Sequence, residues 1–207
     1  MYFIRSTALF SFQIPMKIWI FPGQEIWLTQ YLIPYLRFMQ IEVKNSQPSD
    51  IDAIFDFYDI AIAYQKKVFN KHWQGFSRHL VQTEIEEDRQ YKILVDGKSA
   101  CVFAVTFADQ LIWGDRDFDS IYIHRIVTHP DFRGYSFVKE IIKWAKKYAA
   151  EHQIKYIRMD TWADNEKLLK YYTGCGFTYV GVVSLQKSEG LPKHYEGISL
   201  SLFEIIV

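Results

Sequence analysis

The amino-acid sequence predicts an α/β domain with a mixed central sheet flanked by helices. Three observations carry this. Residues Ile121–Lys139, IYIHRIVTHPDFRGYSFVK, read as a strand, a His-Pro turn, an Arg-Gly loop and the start of an amphipathic helix. Lys155–Trp162 and Asn165–Thr173 repeat the order of strand then helix, which places parallel strands near the middle of a sheet. Two β-rich runs, Tyr91–Val95 and Ser99–Phe107, flank Asp96-Gly97-Lys98, a strong hairpin signal.

The elements follow in order. Gln40–Lys44 alternates as a strand. Ser49 or Asp50 caps a helix with Ile51, Ile54, Phe55 and Tyr58 at helical spacing. A second helix is expected over about Gln65–Glu87, with Val68, Phe69, Trp73 and Phe76 apolar. The hairpin comes next, then the strand Ser120–Thr128. Phe137–Glu151 carries Val138, Ile141, Ile142, Ala145 and Tyr148 on one helical face. Asp164 caps the helix after Lys155–Trp162. Thr178–Leu185 and His194–Ile206 are the last strands. There is no internal repeat and no low-complexity tract.

The chain has 207 residues, enough for one domain with a sizeable core. Net charge is zero, so nothing pulls it globally toward nucleic acid or an anionic membrane. Cys101 and Cys175 stand alone, outside any CxxC or Cys/His cluster, so no metal site is expected. Two lone cysteines fit a reducing cytoplasm, and Cys101 reads as a small buried hydrophobe.

Residues 1–38 differ from the rest. They are rich in aromatics, hold three of the six prolines (Pro15, Pro22, Pro34), and carry only Arg5, Lys17, Glu25 and Arg37 as charges. Lys17 and the prolines keep every apolar run short of the roughly 18 residues of a membrane helix. Met39 opens MQIEVKNSQPSDIDAIFDFY, which reads as the first strand and helix of the domain, 39–207. The preferred reading of 1–38 is an upstream extension from an over-long gene start. An ordered appendage and a membrane or export signal stay open.

The loop Asp131–Lys139 sets free backbone N–H groups and the positive end of a helix dipole just past a strand, where a pyrophosphate can bind. Gly134 permits an unusual φ, Arg133 adds charge, and Ser136 can cap the helix or donate to a phosphate. An ordinary capped strand–turn–helix junction has the same appearance.

The element order, the loop HPDFRGYSFV and the segment NEKLLKYYTGCGF together resemble the GNAT (Gcn5-related N-acetyltransferase) superfamily, over residues 39–205. The resemblance implies a GNAT-type fold whose sheet splays between Ser120–Thr128 and Lys155–Trp162, with acetyl-CoA in the gap. It implies that backbone groups of Ile126, Val127 and Thr128 hold the acyl-pantetheine, with the Val127 N–H polarising the thioester carbonyl. The pyrophosphate would lie on Arg133, Gly134, Tyr135, Ser136, Phe137, Val138 and Lys139. Aligned to the family loop Gln/Arg-x-x-Gly-x-Gly/Ala with Arg133 first, Ser136 replaces the Gly and Val138 the Gly/Ala. Asn165 would hydrogen-bond the pantetheine arm. Tyr172 would be the general acid for the leaving thiolate, rather than Tyr171, which diverges from it by about 100° on the helix. A phenol near pKa 10 is well matched to a thiolate of roughly 8.5 to 10.

An acceptor amine must be neutral to attack. His124, titrating near 6.5, is the candidate base, on a face shared with Tyr122 and Ile126 by alternation. Asp160 and Trp162 share a face of the next strand; Asp160 could orient His124, bind a cationic acceptor, or serve structure alone. Trp73, Phe76 and His79 are expected around the acceptor. The expected partner is a small-molecule or protein amine, with no nucleic acid and no membrane; a homodimer stays open. The competing reading is a non-catalytic GNAT-fold module that binds acyl-CoA or a protein.

Overall fold

The computed structural model of the protein describes residues 17–21, 24–27, 39–69, 71–114, 119–185 and 197–207. The chain forms two units, Met1–Met39 and Gln40–Val207. In the first, β1 (Lys17–Phe21) and β2 (Gln24–Trp27) pair antiparallel. Arg5, Arg37, Pro15, Pro22 and Pro34, named above for the extension, lie outside the described residues.

The second unit is a seven-stranded sheet between helices. Its strands are β3 (Ile41–Asn45), β4 (Gln90–Val95), β5 (Lys98–Thr106), β6 (Ser120–Thr128), β7 (Tyr156–Trp162), β8 (Thr178–Leu185) and β9 (Ile198–Ile206). They lie in the order β3-β4-β5-β6-β7-β9-β8. Only β6 and β7 pair in parallel. The turn Asp96-Gly97 has φ of +49° and +81°, the left-handed pair that a tight hairpin needs. The expected residue His194 lies outside the described residues; β9 is described from Ile198.

The helices are α1 (Ile51–Val68), α2 (Arg78–Glu86), α3 (Gln110–Trp113), α4 (Phe137–His152) and α5 (Glu166–Gly174). On one side of the sheet, α4 buries Phe137, Val138, Ile141, Ile142 and Ala145 against Ile93, Phe103, Ile121, Ile123, Ile157 and Phe203. In a second cluster, Ile54, Phe57 and Tyr58 of α1 and Val81 and Ile85 of α2 pack with Val102 and Val127. A third joins Ile112 and Trp113 of α3 to Tyr122, Leu200 and Leu202.

Three expectations are corrected. The second helix does not span 65–87: α1 runs on to Val68, and an irregular segment follows until α2. Phe69 is extended, Gly75 sits at φ +92°, and the Gln65 side chain accepts from Trp73 N–H at 2.8 Å, which fixes the turn away from α1. Asp164 does not cap α5; Asn165 does, and Asp164 instead pairs with Lys71 at 3.1 Å. Tyr122, His124 and Ile126 do not share a face. Between the pairs Val102↔Val127 and Ala104↔His124, β6 holds one residue more than β5. This bulge, with Arg125 at φ +51°, shifts the alternation by one. Ile126 therefore joins Ile121 and Ile123 on the α4 side, while Val127 faces α1 and α2.

Candidate active site

The bulge sets up the site. Pairing of β6 with β7 ends at Ile123↔Met159. Beyond it β6 stays with β5 through Val102↔Val127 and Cys101↔Thr128, while β7 follows β9 through Asp160↔Leu202, Thr161↔Ser201 and Trp162↔Leu200. The strands part, as the family resemblance implied. A cavity of about 690 Å³ fills the gap.

The direction of the backbone groups follows from the register. His129 N–H donates to the Ala100 carbonyl at 2.9 Å. Val127↔Val102 lies two residues back on each strand, so the Val127 N–H also points at β5. The N–H groups of Ile126 and Thr128 point into the gap. The carbonyl-polarising position expected at Val127 thus falls on its neighbours.

Seven of the thirteen expected site residues line the cavity: His124, Ile126, Val127, Thr128, Arg133, Asn165 and Tyr172. Gly134, Tyr135, Ser136, Phe137, Val138 and Lys139 do not; they form the loop and first turn of α4. Phe137 and Val138 are buried in the α4 core. Gly134 has φ +91° and Ser136 φ +55°. Left-handed backbone at these two positions turns the loop into α4. With Arg133 first, the left-handed Ser136 stands at the loop's Gly position, and Val138, at its Gly/Ala position, packs in the helix core. Ser136 makes no side-chain cap. Arg133 lays its guanidinium over the Tyr64 ring, 4.9 Å away.

Asn165 sits where β7 gives way to α5. Its Oδ1 accepts from Leu168 N–H at 3.1 Å, which leaves its amide NH₂ for a ligand. Tyr172, 9% exposed, packs on Phe177 and Phe203 and faces the cavity, whereas Tyr171 lies on the outside. Burial, then Tyr171 and Asp160, raise the Tyr172 phenol above its ordinary range. It is a phenol, never a phenolate, at neutral pH.

Three cavity-lining side chains converge. Asp109 precedes α3, His124 is on β6 and Asp160 on β7; their ligand atoms lie within 4.8 Å of one another. Among the described residues this is the one His, Cys, Asp and Glu group placed to surround a single cation. His124 Nε2 is 3.6 Å from Asp109 Oδ2 and 3.2 Å from Thr106 Oγ1. Burial, then Arg125 and Arg89, push the His124 imidazolium down to about 3. The expected titration near 6.5 is therefore lost, and His124 is a neutral hydrogen-bonding group at pH 7. Burial and then the Asp109 charge raise the Asp160 carboxyl to about 7. Sequence reasoning missed Asp109, because nothing in Ala108-Asp109-Gln110 marks a site.

Phe69, Trp73, Phe76 and Trp162 also line the cavity. Trp73 and Phe76 were expected around the acceptor. His79, exposed on α2, does not line the cavity. Beneath, Arg125 is held by Glu84 at 2.5 Å and by the Tyr58 hydroxyl at 3.2 Å.

Residues 58–177 match the acetyltransferase (GNAT) family. The chain belongs to this family, and its sheet, helices and splayed strands are those of an N-acetyltransferase. It is 26% identical over 121 residues to an uncharacterized N-acetyltransferase, YesJ, of Bacillus subtilis, covering 54% of this chain and 67% of that protein. It is 34% identical over 92 residues to streptothricin acetyltransferase of Escherichia coli, covering 42% of this chain and 52% of that protein. The chain thus spans about two thirds of one curated relative and about half of the other. A GNAT acetyltransferase structure from Listeria monocytogenes superposes with TM-score 0.64 at 24% identity, over 81% of this chain and 95% of that one. A putative acetyltransferase of Salmonella typhimurium, solved with its cofactor acetyl-CoA, gives TM-score 0.58 at 11% identity, over 80% and 93%.

Proposed function

We propose that the protein transfers an acetyl group from acetyl-CoA to a primary amine by direct attack. The observation that carries this reading is the parting of β6 and β7, which brings Ile126, Thr128, Asn165 and Tyr172 to one cavity. The pantetheine arm would take the gap-facing N–H groups of Ile126 and Thr128 and the amide of Asn165. The pyrophosphate would lie on the N–H groups of Gly134–Lys139 at the start of α4, where the dipole favours an anion.

The amine nitrogen attacks the thioester carbon, a C–N bond forms, and the C–S bond breaks. The thiolate takes a proton from Tyr172, and the phenol is reloaded by a proton shed from nitrogen as the amide forms. Because its environment raises the phenol's pKa, Tyr172 donates only once the departing sulfur carries charge beside it. A gap-facing N–H stabilises the oxyanion between these events.

No metal enters this scheme. The cysteines are free, which supports a cytoplasmic setting, and among the described residues no helix is long and apolar enough to cross a membrane. The acceptor belongs among small-molecule or protein amines; nucleic-acid and membrane partners have no support, and light scattering would decide a homodimer.

The test is thiol release from acetyl-CoA across an amine panel that includes streptothricin. Acetylated product with stoichiometric CoA supports the reading. Acetyl-CoA binding with no transfer to any amine favours the non-catalytic module.

A further inference from the structure

Helix α1 packs on one side of the gap between β6 and β7. Its Ile54, Phe57 and Tyr58 cluster with Val102 of β5 and Val127 of β6, whereas Trp162 ends β7 on the other side, with Asp164 and Asn165 next in the chain. The chain that leaves α1 reaches across. The Phe69 ring meets the Trp162 ring edge-on at 6.4 Å, and Lys71 Nζ donates to Asp164 Oδ2 at 3.1 Å. Phe69, Trp73 and Trp162 all line the cavity that fills the gap.

On the near side, Gln65 ties this stretch to its own helix twice. Its backbone carbonyl accepts from Phe69 N–H at 2.8 Å, and its side-chain Oε1 accepts from Trp73 N–H at 2.8 Å. Trp73 then packs edge-on against Tyr58 and Phe76, 6.2 and 5.2 Å away. On the far side the tie is weaker. Lys71 and Asp164 are both exposed, and an exposed ion pair adds little to stability. What these contacts do is shape a wall of the cavity.

Resting on the acetyltransferase reading, we propose that Gln65 is a positioning residue that holds Phe69 and Trp73 as an aromatic wall across the gap, and that this wall keeps water from the acetyl thioester. Water competes with the amine for the same carbon. Its oxygen attacks the thioester carbon, a C–O bond forms and the C–S bond breaks. The thiolate takes a proton, and acetate leaves in place of an amide. The ring faces of Phe69, Trp73 and Trp162 give water little to bind, so the thioester survives until an amine arrives.

The test is acetate formation from saturating acetyl-CoA by the full chain with no amine present, followed by NMR. Gln65→Met keeps the length and helix preference of the side chain but removes the acceptor oxygen. It should raise the acetate rate at least about fivefold, the population shift that one lost hydrogen bond allows. Gln65→Glu retains an acceptor oxygen and should stay near the parent rate. Lys71→Gln, at an exposed position, should raise the rate about twofold, the size of an exposed ion pair. Hydrogen exchange at the Trp73 amide should quicken in Gln65→Met and not in Gln65→Glu. Acetyl-CoA affinity, measured by calorimetry, should be the same in each of these proteins.

An acetate rate unchanged in Gln65→Met, or a Trp73 amide that stays protected there, would overturn the proposal. A lower melting temperature without faster hydrolysis would do the same, by leaving Gln65 a purely structural residue. So would a rise in Gln65→Glu equal to that in Gln65→Met. Should Gln65→Met fail to fold, Lys71→Gln decides, and an unchanged rate in it overturns the proposal. If acetyl-CoA binds and hydrolysis does not respond, only this proposal fails; if acetyl-CoA does not bind the folded parent, the transferase reading fails and this one with it.

Discussion

Arg125, the extra residue of β6, is gripped by both carboxylate oxygens of Glu84 on α2, at 2.5 Å. A non-glycine residue at φ +51° costs about 1–3 kcal/mol. The ion pair, the Tyr58 hydroxyl and the Phe76 ring 5.2 Å away hold it there. The bulge in turn lets β6 part from β7, so a contact outside the cofactor gap supports the geometry of the gap.

Glu84→Ala should therefore be severe. It leaves Arg125 buried without its partner, a loss of about 3–5 kcal/mol in unfolding free energy. Urea denaturation followed by tryptophan fluorescence measures it. A loss below about 1 kcal/mol would show that the pair does not hold the bulge.

Tyr172→Phe removes the proton donor and keeps the ring packing on Phe177 and Phe203. Turnover should fall about 10²–10⁴-fold, while acetyl-CoA affinity stays within about twofold of the parent. Single-turnover kinetics beside calorimetric binding tests this. Unchanged turnover would remove Tyr172 as the acid.

The pH dependence follows from Asp160 and His124. Asp160 lines the cavity with its carboxyl raised to about 7, and if it takes the acceptor's proton, kcat/KM should rise to pH 7 and level off above it. Asp160→Asn should flatten that limb. Asp109→Asn removes the like charge and should move the limb to lower pH. His124→Gln should leave the limb in place, because His124 is already neutral throughout this range.

Stability carries the same groups with opposite signs. The folded-state pKa of Asp160 lies above its unfolded value of about 3.9. The native state then binds the extra proton, and stability falls as pH rises from about 4 to 7. The folded-state pKa of His124 lies below 6.5, so its contribution is lost as pH falls from about 6.5 to 3. Asp160→Asn should raise the melting temperature relative to the parent at pH 8 and not at pH 4.

Ser136 sits in left-handed backbone without a side-chain cap. Ser136→Gly should stabilise the fold by about 1 kcal/mol and leave acetyl-CoA binding intact or tighter. Thermal unfolding with and without acetyl-CoA checks both. Destabilisation would mean that the hydroxyl has a partner of its own.

The parts of the fold legible in sequence were those set by periodicity and local turn chemistry. The α4 stripe, the Asp96-Gly97 turn and the strand order around the loop are local, and the structure keeps them. The irregular stretch between α1 and α2 was not legible, since Val68, Phe69, Trp73 and Phe76 happen to fall at helical spacing. The bulge at Arg125 was invisible because nothing in His-Arg-Ile-Val marks an inserted residue. It is specified by Glu84, 41 positions away. For the same reason the facing of His124 and Ile126 was misread. The left-handed backbone at Ser136 was not legible either, because a serine seldom adopts it. Asp109 and Asp160 meet only through the tertiary fold, so no spacing could announce the pair.

Calorimetric titration of acetyl-CoA into the full chain and into Gly134→Val tests the central claim most directly. Gly134 holds φ +91°, which a β-branched residue cannot adopt without strain. The account predicts micromolar, one-to-one binding by the parent and a loss of at least about tenfold in the variant. No heat of binding from a folded parent, or equal affinity in the variant, would contradict an acetyl-CoA site built on β6 and the start of α4.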